Sequence, residues 1–127
     1  MGNITKQQVA NRARWVEALR SGRYTQGIER LREDHPATQS TSFCVWGVAC
    51  DVMDPNGWRV DDKHVWRNEV SARVPNAMGI GAGDDLGCVA FRHVTLLALN
   101  DNGLASFDEL ADLIQWHTFI QLGEGAS

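Results

Sequence analysis

The chain has 127 residues, 43% of them hydrophobic and 22% charged, with a net charge of −4. That balance describes one globular domain, residues 1–127, able to bury roughly two-thirds of its unfolded surface without metal or disulfide support. Interspersed charges exclude a nucleic-acid footprint, the lack of any run near ~18 apolar residues excludes a membrane span, and three cysteines without an apolar leader in MGNITKQQ point to a reducing, cytoplasmic setting.

Thr5 and Gln8 form a T-x-x-Q capping box ahead of QQVANRARWVEALRSG, where Val9, Ala13, Val16 and Leu19 recur at helical spacing and Ser21-Gly22 closes the segment. RYTQGIERLRED reads as a second, weaker helix interrupted by Gly27, with Arg30 and Arg32 on a solvated face. HPATQSTS is a loop in which Pro36 breaks the chain and Ser40 to Ser42 offer helix caps. SFCVWGVACDVM, residues 42–53, is a central packing helix, closely approached at Gly47 and ended by the turn DPNG.

Asp51 is the only charge in that helix and needs solvent, a cap or a partner, because an unpaired buried carboxylate is too costly. In GWRVDDKHVW, Trp58 and Val60 face Val65 across an Asp-Asp turn in a short hairpin. VPNAMGIGAGDDLG is a glycine-rich loop or lid, and CVAFRHVTLLALN a buried helix. NDNG turns the chain, and Ser106 to Glu109 make a second capping box that opens FDELADLIQWHTFIQ, with Phe107, Leu110, Ala111, Ile114 and Trp116 on its apolar face. The expected fold is mainly α, or α+β with at most a small β-hairpin: a compact helical domain around a central apolar helix.

Metal and phosphate signatures fail on spacing. ALNDNGLASFDE places Asn102, Gly103, Ser106 and Glu109 like a calcium loop, but Ala98 occupies the first ligand position. The glycines of MGIGAGDDLG miss the dinucleotide pattern, and Asp84 and Asp85 would repel phosphate. Cys44 and Cys50 lie six positions apart, about 120° around a helix, and the histidines show no i, i+4 pair, so zinc has no ligand set. No metal or cofactor is expected.

The enzyme reading is a cysteine-dependent hydrolase or transferase. If Ser42 caps the helix, Cys44 sits in its first turn, where free N–H groups lower a thiol pKa. His93 or His117 would then be the base and Asp51 or Asp101 its orienting group. A buried apolar cysteine is the simpler account of the same residue. The five tryptophans serve first as core anchors, leaving one or two to stack on a planar ligand.

Three separated pieces carry a resemblance. WVEALRSGRYTQGIERLR, FCVWGVACDV and LNDNGLASFDELADLI correspond to W-x-x-A-L-R-S-G-x-Y-x-Q-G, C-x-x-G-V-x-C-D and L-N-D-x-G-x-S-F-x-E-I-A-D, in that order, the third with one extra residue between Gly103 and Ser106. They resemble a family of small proteins encoded by bacteriophages and prophages, with Leu110 replacing the usual isoleucine. The resemblance implies a phage origin and the host bacterial cytoplasm, and it attaches no mechanism.

Within the motifs, Tyr24, Gln26, Asp51, Asn100 and Asp101 are polar positions that packing alone does not require. A ligand site is expected where these five converge, with Arg20, Arg23 or Arg32 supplying positive charge. The corresponding function is an accessory binding protein acting against the host, either by sequestering a nucleotide-like immune signal or by inhibiting a host protein. A homo-oligomer is compatible with this reading.

Overall fold

Helix α1, Lys6–Arg20, begins at the expected capping box. The Thr5 hydroxyl accepts from the Gln8 N–H and the Gln8 side chain accepts from the Thr5 N–H. Its apolar stripe buries Trp15, Val16, Ala18 and Leu19, each Val or Leu contributing about 1.5–3 kcal/mol. The computed structural model describes residues 4–80 and 96–126. His93, most of the glycine-rich segment and the first part of CVAFRHVTLLALN therefore lie outside the described residues.

The expectation of a mainly helical fold is overturned beyond α1. Residues 25–43 build a three-stranded sheet from β1 (Thr25–Gln26), β2 (Arg32–His35) and β3 (Ser40–Phe43), in the order β1-β3-β2. β1 runs parallel to β3, whereas β2 is antiparallel, pairing Arg32 with Phe43 and Glu33 with Ser42. RYTQGIERLRED is thus a strand, a bend and a second strand. Ile28, which a helix would have buried, is half exposed, and Glu29 has a φ of 65°, which no right-handed helix accommodates. Gln39, with a φ of 54°, closes the turn between β2 and β3.

Helix α2, Val45–Met53, follows β3 directly and is capped by Cys44, not by Ser42, which belongs to the strand. The core gathers around it: Val45, Trp46, Val48, Ala49 and Cys50 are buried, and the Trp15 indole N–H donates to the Val45 carbonyl at 3.0 Å. Gly47 permits this arrangement. A Cβ there would sit 1.7 Å from the Leu31 carbonyl oxygen, so only glycine lets α2 lie against the chain entering β2.

After the DPNG turn, β4 (Trp58–Val60) and β5 (Trp66–Asn68) form the expected hairpin, with Val60 opposite Trp66 and not Val65. Instead of a loop, residues 74–78 form the short helix α3, Val74–Met78, with Pro75 in its first turn and Gly79 left-handed at its end. The polar side of α1 satisfies the carbonyls that such a terminus exposes. Gln8 donates to Asn76, Asn11 to Ala77, and Arg12 to both Met78 and Gly79.

Helix α4, Leu96–Asp101, and helix α5, Phe107–Ala126, complete the chain. α5 opens on the second capping box, with Ser106 and Glu109 exchanging both hydrogen bonds, and packs Leu110, Ala111 and Ile114 against α1. Among the described residues the fold is therefore α+β, with five helices and five strands in two sheets. No described helix is long and apolar enough to cross a membrane.

Candidate functional site

The five polar motif positions divide into two groups. Gln26, Asn100 and Asp101 form one knot. Asn100 is fully buried. Its Oδ1 accepts from Gln26 Nε2 at 3.1 Å and from the Val45 N–H at 3.2 Å, while its Nδ2 donates to the Gly27 carbonyl and to Asp101. Gln26 also donates to the Ala105 carbonyl and accepts from the Phe107 N–H. Asp101 accepts from the Glu29 N–H at 2.9 Å. These side chains tie the bend after β1 to the starts of α2 and α5. Asn100 has its whole hydrogen-bonding capacity spent inside the protein.

Tyr24 and Asp51 form the second group. Asp51 finds its partners in the Tyr24 hydroxyl, which donates at 2.5 Å, and the Trp58 indole N–H, which donates at 2.9 Å. Burial pushes the Tyr24 pKa up to about 12, helped by the hydrogen bond to Asp51 and by its negative charge. Arg23 lies 5.9 Å from the Tyr24 ring centroid. Arg20 stands apart from both groups, bound to Asp112 and Gln115 on α5.

From Tyr24 an aromatic row continues across both sheets. Tyr24 meets Phe43 edge-on at 5.1 Å, Phe43 meets Trp58 at 6.0 Å, and Trp58 meets Trp66 at 6.5 Å. The Arg32 guanidinium lies over this row, 5.9 Å from the Phe43 ring, 5.7 Å from Trp58 and only 3.9 Å from Trp66. Register produces the contact: Arg32 opposes Phe43 across β2 and β3, while Trp66 begins β5.

The guanidinium is stacked but its donors are little used. Arg32 Nε is buried, and in place of a close hydrogen bond it forms an ion pair with Asp34 Oδ1 at 3.6 Å. Asp34 is occupied elsewhere, accepting from the Trp66 indole N–H and the Thr41 hydroxyl, each at 3.0 Å. Burial works to raise the Asp34 pKa, yet these bonds and the Arg32 charge hold it below the usual carboxylate value. Asp34 therefore orients the indole that Arg32 covers.

Arg32 and Trp66 border a concavity of about 540 Å³, whose rim includes Arg30, Lys63 and His64. Neither Arg30 nor Lys63 takes part in an ion pair among the described residues. The loop carrying Lys63 is fixed by Asp61, whose Oδ1 accepts from the Lys63 and Val65 N–H groups. A stacked guanidinium keeps its plane fixed and presents in-plane donors to a planar oxyanion, which free Arg or Lys side chains do at greater entropic cost.

The two thiols share a different feature. Cys44 and Cys50 both line a cavity of about 230 Å³ with Leu31, Trp46, Val74 and Leu97. As the helix cap, Cys44 accepts the Gly47 N–H on its sulfur at 3.3 Å. Burial nevertheless pushes its pKa up, the N–H groups of Gly47 and Trp46 opposing only in part. Cys50 is pushed to about 12, by burial first and then by its neighbours Cys44 and Asp51. The helix start thus does not yield a low-pKa thiol at Cys44. Asp51, the orienting group in the enzyme reading, is committed to Tyr24 and Trp58. His117 is half-buried on α5. Among the described residues no three His, Cys, Asp or Glu side chains are grouped to hold a metal ion.

Sequence reasoning named Arg32 as a site residue, Arg30 only as part of a solvated helix face and Trp66 only as one of five tryptophans, and it did not name Lys63. The available signal was the pair Arg30 and Arg32, two positions apart. On a helix such residues diverge; here Arg30 sits in the bend that leads into β2, and both border the same concavity. Residues 5–69 match the family described as Domain of unknown function (DUF8296), about half of the chain, which belongs to that family. No curated protein and no solved structure matches the chain. Arg32, Phe43, Trp58 and Trp66 all lie within the family span.

Proposed function

We propose that this protein is a non-catalytic binding protein that takes up a small anionic, nucleotide-like ligand against Arg32 and Trp66. In this reading it serves a phage against its host by sequestering that ligand in the host cytoplasm. One observation carries the reading: the Arg32 guanidinium is stacked 3.9 Å from the Trp66 ring centroid, beside a concavity large enough for a nucleotide. Arg30 and Lys63 join Arg32 in a lining that also holds Glu33 and Asp34, leaving one net positive charge for a phosphate. The guanidinium plane laid over Trp66 supplies a surface on which a base can stack. The phage association rests on the three sequence motifs.

The alternative, a Cys44-dependent hydrolase or transferase, has less support, because the thiol is buried and its pKa is raised. Calorimetric titration with cyclic nucleotides and ADP-ribose-type nucleotides tests the binding reading, with inorganic pyrophosphate as the bare anion. Saturable heat with at least one nucleotide is expected, weakened about tenfold or more in Arg32→Lys, which keeps the charge but loses the stacked fork. Absence of heat with every member sinks the proposal.

A further inference from the structure

Helix α5 changes character along its length. In its first half Phe107, Leu110, Ala111 and Ile114 are buried. In its second half Trp116 is 41% exposed, Phe119 73%, Ile120 37% and Leu122 48%. At 100° per residue these four side chains spread over about 160° of the helix surface, next to the side already turned to the core. From Leu113 to Gly123 there is no Asp, Glu, Lys or Arg. Four large apolar side chains side by side on an uncharged stretch of helix are the pattern of a covered face, not of one left to water. Alongside it a groove of about 800 Å³ runs between α1 and α5, walled by Val9, Ala13 and Val16 on one side and Phe119 and Leu122 on the other.

We propose that this face is the interface of a homodimer, with α5 of each copy packed into the α1/α5 groove of the other. The patch contains both halves of such a contact. Phe119 projects at the edge of the groove, and a two-fold axis through α5 sets each Phe119 against the other copy's groove, as an isologous contact requires.

Charge and area favour a second copy as the occupant. The groove carries Arg12, which is turned to the α3 carbonyls, Arg20, which is paired with Asp112, and Glu17. These four charges cancel, so the patch meets itself without the repulsion that the chain's net charge of −4 would otherwise bring. The four exposed side chains offer roughly 400 Å² of apolar surface, given about 150–250 Å² per large aromatic ring. That is close to the apolar share, somewhat over half, of the ~800 Å² per partner of a standard interface.

This inference is independent of the ligand-binding reading, since Arg32 and Trp66 are not part of the groove. Light scattering coupled to size exclusion, on the full chain from low to high micromolar concentration, tests it. Twice the chain mass is expected for the native protein, and the single-chain mass for Phe119→Glu with unchanged circular dichroism. Ile120→Arg serves as an independent second variant if Phe119→Glu does not fold. A native protein of single-chain mass throughout the series overturns the proposal, as does a dimer that survives a folded variant at either position.

Discussion

Asp51 joins the two aromatic side chains that stand on either side of Phe43, and its setting gives tyrosine ionisation a measurable effect. The folded-state pKa of Tyr24, about 12, exceeds its ordinary value of 10.0. The neutral hydroxyl therefore contributes stability that is complete below pH 10 and is lost as pH rises through 12. Thermal melts of native protein and Tyr24→Phe across that window should converge as pH increases, because the variant has no hydroxyl to titrate. A constant difference in Tm would contradict the assignment. The thiols give a second expectation at this scale. In a Cys88→Ser background, Cys44 and Cys50 should resist iodoacetamide at neutral pH until denaturant is added, since burial holds both as thiols. Rapid native-state alkylation of Cys44 would revive the nucleophile reading. That Asp51 needed a partner was legible from its apolar neighbours. Which residues supply the partner was not, because Tyr24 and Trp58 reach it only after two sheets have formed.

The elements that were legible are those with local signals. Both capping boxes mark real helix starts, and DPNG ends α2 where turn chemistry places it. The strands of residues 25–43 were not legible as strands, because they are short, polar and half-exposed. His35, Ser40, Thr41 and Ser42 show no alternating apolar face, and the sheet depends on pairing and on its contact with α2. Register alone turns a supposed solvated helix face into the Arg32 stack. Gly47 is where this arrangement is most exposed to test. Gly47→Ala would force a methyl group into the Leu31 carbonyl and push the chain entering β2 away from α2. Destabilisation of about 3 kcal/mol or more is expected in urea unfolding, at the upper end of overpacking costs. An unchanged midpoint would mean that α2 and the sheet are not in this contact. Because the displaced chain leads to Arg32, any folded Gly47→Ala protein should also bind nucleotide more weakly.

For the whole molecule, the family span of residues 5–69 holds α1, both sheets and α2, and with them every residue of the aromatic–arginine surface. Helices α4 and α5 lie beyond it, and Gln26, Asn100 and Asp101 bind the two parts together through the buried polar knot. Such a knot, fully satisfied, specifies one docking of α4 and α5 on the sheet. Gln26, Asn100 and Asp101 thus have a scaffold role, and the proposed site draws on a surface whose components the sequence scatters over β2, β3, β4 and β5. The account's central claim is binding without transformation at Arg32 and Trp66. Its most direct measurement is equilibrium dialysis of native protein and Arg32→Ala against an ADP-ribose-type nucleotide, followed by denaturation and mass analysis of what is released. The native protein should retain the nucleotide and return it chemically unchanged, while Arg32→Ala, still folded by circular dichroism, retains little. Equal retention by the two proteins, or release of a cleaved product, would contradict it.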